Sequence, residues 1–139
     1  MKYKALICDI DGTLILNKRH AIPSKRVINA TKKAKDIIHF GVATSRPIFA
    51  LENILDHISL SGPSIINSGA QIVDFSTGKI LIEHPINKND VSYLLDFLLK
   101  LKCSFIVQDG KENIVPRKGG KYTNAIQFWV KAQPEKLAD

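Results

Sequence analysis

The chain has 139 residues, 45% of them hydrophobic and 24% charged, with a formal net charge of +7, and this fits one domain with an apolar core, or one domain and part of another. No apolar run approaches the roughly 20 residues of a membrane span, and the amino terminus lacks a signal or transit pattern, so we expect a cytoplasmic protein without a membrane partner. The Lys and Arg residues are scattered in small clusters without interleaved aromatic residues, which favours a solvated surface over a nucleic-acid site and is compatible with a general attraction for small phosphorylated anions.

The first half of the chain alternates strand-like and helix-like segments. Residues 3–10 contain a continuous apolar run, which predicts a strand buried on both faces. An amphipathic helix is predicted to begin at Ser24, and residues 37–43 are predicted to form a second strand. A helix after Pro47 and a third short strand at residues 64–66 follow. This alternation predicts an α/β fold, in which a Rossmann-like parallel sheet carries helices on both faces.

The pattern changes to α+β after Asn67. The elements predicted there are a hairpin at residues 70–82, a helix capped by Asn87 and a second hairpin at residues 103–115. We therefore predict two domains, which comprise residues 1–74 and residues 75–139.

Two carboxylates follow the first predicted strand, where residues 9–14 read Asp-Ile-Asp-Gly-Thr-Leu. Gly12 can take a backbone angle that other residues avoid, so that Asp9 and Asp11 can be brought into one small volume. Such a pair binds a hard cation such as Mg²⁺ through oxygen ligands. One carboxylate can then attack phosphorus while the other transfers protons. For an isolated pair the alternative is a simple turn, because Asp and Gly are common turn residues.

Polar residues also follow the second and third predicted strands. Residues 43–47 read Ala-Thr-Ser-Arg-Pro, and residues 67–70 read Asn-Ser-Gly-Ala. Ligands of open α/β sheets bind beyond the carboxyl ends of the strands. We therefore expect the polar residues at the ends of the first two strands to face one place.

These three segments resemble motifs of the haloacid dehalogenase superfamily. Residues 9–14 resemble its first motif and residues 43–47 its second, while residues 67–70 are similar to a stretch that precedes the cap in the Cof-like subgroup of sugar-phosphate and related phosphatases. The resemblance implies a Mg²⁺-dependent phosphatase that hydrolyses a small phosphorylated metabolite through an aspartyl-phosphate. It also implies an incomplete core in residues 1–74 and part of a type C2 α+β cap in residues 75–139.

The resemblance also assigns roles to individual residues. Asp9 would be the nucleophile and a Mg²⁺ ligand, and Asp11 would be the general acid/base with its backbone carbonyl on the metal. Thr44 would bind the phosphoryl group through its hydroxyl, together with the backbone N–H of Ser45 at the mouth of a helix. The remaining candidate substrate-binding residues are Gly12, Arg46 and Asn67.

The sequence departs from the family pattern in two respects. Ser45 stands where the family more often has Gly. No Lys and no Gly-Asp-rich segment after Asn67 match the family's later motifs, so the resemblance implies the amino-terminal portion only. Because these motifs complete the charge balance and the Mg²⁺ site in the family, we expect little turnover from this chain alone.

Other interpretations stay open. The first is a phosphatase of a small phosphorylated metabolite that is truncated in this chain, for which a complementing chain is a possible partner. The second is a non-catalytic remnant that binds a phosphorylated ligand or a protein partner. A receiver-like phospho-acceptor domain would also place acids at a strand end, and bare electrostatic binding of nucleic acid is a further alternative. Self-association is predicted if the aromatic residues Tyr122, Phe128 and Trp129 form an exposed apolar surface.

Overall fold

The computed structural model describes residues 3–16, 21–103, 105–108, 113–116 and 137–138. It divides into two compact units, residues 1–84 and residues 85–139. The elements of the first unit are β1 (Ala5–Cys8), α1 (Lys25–Lys35), β2 (His39–Val42), α2 (Glu52–Leu55), β3 (Pro63–Ile66), β4 (Gln71–Asp74) and β5 (Lys79–Glu83), with 3₁₀ turns at Ile48–Ala50 and Asn67–Gly69. Those of the second unit are α3 (Lys88–Lys100), β6 (Val107–Gln108), β7 (Asn113–Pro116) and β8 (Leu137–Ala138).

The sheet of the first unit is parallel around β2. Strand β1 pairs with β2 in parallel, with Ala5 opposite His39, and a parallel bridge between Ala43 and Ile65 joins the end of β2 to β3. Strands β3, β4 and β5 continue as an antiparallel meander. Because β1, β2 and β3 run in the same direction, their carboxyl ends meet at the same edge of the sheet.

Two serine hydroxyls take the place of a regular backbone ladder between β2 and β3. The backbone N–H of Phe40 donates to Oγ of Ser61, and that of Val42 donates to Oγ of Ser64, each at 3.0 Å. Ser64 is fully buried, so its hydroxyl satisfies a backbone donor that water does not reach. The hydroxyls bring β3 close to Gly41, where the absence of a side chain leaves room for the carbonyl of Pro63.

The core of the first unit is formed mainly by aliphatic side chains from the strands and from the segments that connect them. Alternate residues of β3 and β4 face this core, which explains the alternating burial along both strands. The buried members are Ile10, Ile15, Val42, Leu51, Ile54, Ile58, Ile66 and Val73.

Both predicted helix caps are confirmed. Oγ of Ser24 accepts the backbone N–H of Val27 at 3.3 Å, which fixes the start of α1. Oδ1 of Asn87 accepts the N–H of Asn89 at 2.9 Å at the start of α3. The predicted hairpin of β4 and β5 is also present, with Asp74 opposite Lys79.

Two predictions about local structure are wrong. Strand β1 is not buried on both faces, because Leu6 and Ile7, whose side chains point to opposite faces, are 42% and 46% exposed. The apolar spacing after Pro47 does not produce one long helix. It produces a 3₁₀ turn and the four-residue helix α2, which still bury Leu51 and Ile54.

The second unit contains one long helix and short strands. Helix α3 has no buried residue. On its surface the rings of Tyr93 and Phe97 stack on each other, with their centroids 6.2 Å apart. Strand β6 pairs antiparallel with β7, as the second predicted hairpin requires, and β8 adds to β7 in parallel. Among the described helices, none combines the length and apolar character of a membrane span.

The aromatic residues behind the prediction of self-association, Tyr122, Phe128 and Trp129, lie outside the described residues. The domain boundary after residue 74 stays a prediction.

Candidate active site

The loop after β1 is fixed by one buried residue between two acids. The side chain of Ile10 is fully buried in the core. Its carbonyl oxygen accepts the backbone N–H groups of Thr13, Leu14 and Ile15 at 2.9 to 3.2 Å. Gly12 has φ of +84°, a left-handed angle that strains other residues, as the sequence led us to expect. The tight turn therefore holds the residues on either side of Ile10 at the carboxyl end of β1.

The carboxylate of Asp9 is exposed at this strand end. Its Oδ2 accepts the hydroxyl proton of Thr13 at 3.1 Å. The motif alone predicts no role for Thr13, although a hydroxyl four residues after a carboxylate in a tight turn can reach back to it. The hydrogen bond orients Asp9 and leaves Oδ1 without a described donor.

The carboxylate of Asp11 is held by Arg46, which lies 35 residues away in the sequence. Nη2 of Arg46 donates to Oδ1 of Asp11 at 2.6 Å, and Nε donates to Oδ2 at 2.8 Å. The side chains are 31% and 35% exposed respectively. These hydrogen bonds, with a smaller contribution from the positive charge, lower the pKa of Asp11 below its ordinary value, although partial burial opposes the shift.

Arg46→Met is expected to lower the free energy of unfolding by about 1 kcal/mol at neutral pH, which is the upper range for a partly exposed ion pair. Because the folded-state pKa of Asp11 lies below the ordinary value of 3.8, the pair contributes fully above that pH and loses its contribution as pH falls through the folded-state value. The difference between variant and wild type should therefore shrink in acid. Urea denaturation at several pH values, with a chelator present to remove metal ions, measures this difference in the free energy of unfolding.

The matched control is Arg26→Met, because Arg26 is exposed on α1 and forms no ion pair with a described residue. Its effect on the free energy of unfolding should be small and independent of pH. A loss for Arg46→Met that persists unchanged at about pH 3 would contradict the assignment to an ionised Asp11.

Thr44 occupies the end of β2, as predicted. It is 8% exposed, and its backbone N–H donates to the carbonyl of Ile65 at 3.0 Å. Its Oγ1 accepts the backbone N–H of Arg46 at 3.2 Å, and its hydroxyl proton has no acceptor among the described residues, so that it can be donated to a ligand. The neighbouring Ser45 is exposed.

The expectation that Ser45 stands at the mouth of a helix is wrong. The element that follows is a 3₁₀ turn of three residues, Ile48–Ala50. Such a turn lacks the aligned peptide dipoles that make the start of a longer helix attractive to anions.

The segment after β3 packs on the segment after β2. The backbone N–H of Asn67 donates to the carbonyl of Arg46 at 2.9 Å, and that of Ser68 donates to the carbonyl of Thr44 at 3.3 Å. Asn67, Ser68 and Gly69 all have positive φ, an arrangement that costs free energy for residues other than Gly. The structure thus brings the residues predicted from the second and third segments together, with Asn67 in contact through its backbone.

The oxygen atoms at the end of β1 suit a hydrated Mg²⁺ ion. Oδ1 of Asp9 and the backbone carbonyl of Asp11 accept no hydrogen bond from a described residue, while the carboxylate of Asp11 is occupied by Arg46. Mg²⁺ in proteins keeps several waters and takes few protein ligands. The residues therefore fit the predicted ion with Asp9 as the carboxylate ligand. The described residues contain no cluster of three or more His, Cys, Asp or Glu side chains that could hold a metal.

Sequence comparison identifies relatives over nearly the whole chain. The sequence model of the haloacid dehalogenase-like hydrolases matches residues 6–138. "Putative phosphatase YxeH" of Bacillus subtilis is 29% identical over 136 residues, which are 95% of this chain and 50% of that protein. The chain thus spans about half the length of this relative.

Solved structures of the same class share the fold. A phosphatase of the haloalkanoate (HAD) superfamily, BT1666 from Bacteroides thetaiotaomicron, superposes with a TM-score of 0.79 at 23% identity, over 98% of this chain and 49% of that chain. The subclass IIB sugar phosphatase BT4131 gives a TM-score of 0.70 at 23% identity, over 92% of this chain and 49% of that chain. These similarities confirm the predicted α/β fold class.

Proposed function

This chain belongs to the haloacid dehalogenase-like hydrolases, and from that premise we propose that it carries the nucleophile-bearing part of a Mg²⁺-dependent phosphatase. The observation that supports this most directly is the network at the carboxyl ends of β1 and β2. There the Arg46 side chain bonds to Asp11, and its backbone N–H bonds to Thr44. The carboxylate of Asp11, the hydroxyl of Thr44 and the exposed carboxylate of Asp9 therefore belong to connected segments at one edge of the sheet.

In the proposed first step, a carboxylate oxygen of Asp9 attacks phosphorus and forms an aspartyl-phosphate. The bond from phosphorus to the leaving oxygen breaks, and Asp11 gives that oxygen a proton, which it has to take up first because Arg46 favours its ionised form. Thr44 donates its free hydroxyl proton to a phosphoryl oxygen, which positions the group for in-line attack. The hydrogen bond from Thr13 keeps the attacking carboxylate in one orientation.

In the second step, a water molecule attacks the phosphorus of the aspartyl-phosphate. Asp11 accepts the water proton, the acyl-phosphate bond breaks, and inorganic phosphate leaves with the Asp9 carboxylate restored. A bound Mg²⁺ would neutralise charge between the carboxylate of Asp9 and the anionic phosphoryl group. Asp9 and the backbone carbonyl of Asp11 are the groups of this chain that we propose to hold it.

We propose a small phosphorylated metabolite, such as a sugar phosphate, as substrate. The net charge of +7 favours anionic partners in general. The sugar phosphatase BT4131, which shares the fold, supports the choice of class. We expect slow turnover from this chain alone, below about 1 per second, because the described acids at the strand ends provide few ligands to retain the ion.

Hydrolysis of 4-nitrophenyl phosphate with Mg²⁺ and with chelator tests the proposal. We expect slow hydrolysis that requires Mg²⁺. Borohydride reduction during turnover should convert a trapped aspartyl-phosphate at position 9 to homoserine, which peptide mass spectrometry detects. Hydrolysis that is insensitive to chelator, or a folded protein with neither hydrolysis nor labelling, would overturn the proposal.

A further inference from the structure

Strand β5 is the last strand of its sheet, and its three central residues are apolar. It pairs with β4 along one edge and with no described strand along the other. An edge strand presents a row of unpaired backbone N–H and C=O groups, to which a further strand can be added. The side chains of Ile80, Leu81 and Ile82 are 52%, 50% and 44% exposed. Strand β5 therefore offers both backbone hydrogen-bonding groups and apolar side chains to a partner.

The charged residues of β5 lie at its two ends and have opposite signs. Lys79 is the first residue of the strand and Glu83 the last, and both are exposed. Lys79 forms no ion pair with a described residue. Oε1 of Glu83 accepts a hydrogen bond from Nε2 of Gln71 at 2.6 Å, which leaves Oε2 without a described donor. Both charges can therefore pair with charges of a partner.

The order of the residues in β5 is complementary to itself in the antiparallel direction. If two copies of β5 pair about an axis at Leu81, Lys79 of each copy lies opposite Glu83 of the other, and Ile80 lies opposite Ile82. Opposite charges that face each other across two strands are stabilising, whereas like charges are destabilising. Parallel pairing in the same register would place like charges together. An antiparallel shift by two residues would leave both charges without an opposite charge.

We propose that this chain forms a homodimer in which the β5 strands of two copies pair antiparallel and join their sheets. The arrangement is closed, because each copy uses the same free edge and neither copy offers it to a third. The pairing uses no residue of the candidate site, so the inference goes beyond the proposed function and does not depend on it.

The geometry of β5 predicts that the dimer is weak. The register between β4 and β5 shifts between Ile72 and Val73, so that Leu81 has no partner on β4. Such a shift bends the strand and interrupts the regular ladder at its middle. Two strands of five residues also bury less surface than a standard stable interface. We therefore expect the dimer to dissociate on dilution.

Sedimentation equilibrium of the full chain over a wide range of concentrations tests the proposal. The average mass of wild type should rise from that of a monomer towards that of a dimer as the concentration increases. Leu81→Lys places two ammonium groups opposite each other on the axis and should raise the dissociation constant at least about tenfold. Ile37→Lys is the matched control, because Ile37 is a 61% exposed isoleucine outside β5. It should leave the dissociation constant unchanged. Circular dichroism checks that each variant is folded.

Reversal of the charges tests the register. Lys79→Glu places two carboxylates together at each end of the paired strands and should weaken the dimer. The double variant Lys79→Glu with Glu83→Lys places opposite charges together again and should restore much of the wild-type affinity. Damage to the fold would not be repaired by the second substitution, so restoration is specific to antiparallel pairing.

Three outcomes would contradict the proposal. A monomer at every concentration would overturn it and leave the free edge of β5 to a different polypeptide. Association that Leu81→Lys does not weaken would assign the interface to another surface. A folded double variant that associates no better than Lys79→Glu alone would exclude the antiparallel register.

Discussion

Asp9→Asn is expected to lower Mg²⁺-dependent hydrolysis of an aryl phosphate by at least about a thousandfold. The Asp9 carboxylate supplies the attacking oxygen in the proposed reaction, and a neutral amide is a far weaker nucleophile. The substitution keeps the size of the side chain. Asp9 is exposed, and within the described chain only Thr13 donates to its carboxylate, so the fold should be retained. Steady-state rates at saturating Mg²⁺ measure the effect.

The matched control for Asp9→Asn is Asp36→Asn. Asp36 is an exposed carboxylate just after the last turn of α1, so this variant removes the same charge away from the strand ends. Its rate should equal that of wild type. Asp9→Ala excludes slow conversion of the introduced Asn back to Asp. Retention of the wild-type rate in both Asp9 variants would place the nucleophile elsewhere.

Features that depend on neighbouring residues could be predicted from the sequence. A hydroxyl or amide side chain that caps a helix acts over two or three residues, and Ser24 and Asn87 do so where expected. The turn around Gly12 is equally local. The positions of the strands could also be predicted. Because β1 and β2 are parallel, the polar segments that follow them meet at one edge of the sheet.

Features that depend on distant residues could not be predicted. A pattern of residues does not reveal that Arg46 would pair with Asp11 rather than with solvent or substrate, because that pairing depends on the register of β1 against β2. The predicted burial of β1 exceeds the burial in the structure for a related reason. An apolar run indicates that a strand can be covered on both faces, but Leu6 and Ile7 remain exposed within the described structure.

The largest effect on stability is expected from Gly41→Ala, which should lower the free energy of unfolding by about 3 kcal/mol or more. A Cβ atom at this position would overlap the backbone carbonyl oxygen of Pro63 and lie 3.0 Å from Cδ1 of Ile7 and 3.2 Å from Oγ of Ser64. The carbonyl belongs to β3 and cannot rotate away as a flexible side chain could. Urea denaturation of the purified proteins measures the change.

Relief of that overlap requires β2 and β3 to move apart, and this movement would reach the candidate site. The hydrogen bond from Val42 to Ser64 and that from Thr44 to Ile65 both cross the same seam. Gly41→Ala should therefore also weaken any binding of phosphate that depends on Thr44.

Gly78→Ala is the matched control for the stability effect. Gly78 has φ of +69° in an open turn where a Cβ atom would meet nothing within 4 Å. Its cost should be about 1 to 2 kcal/mol, which is the cost of the left-handed backbone alone. If the two variants lost equal stability, the close approach of β3 to Gly41 would not be the feature that requires glycine there. A larger loss at Gly41, accompanied by weaker phosphate binding, would show that the seam between β2 and β3 supports the position of Thr44.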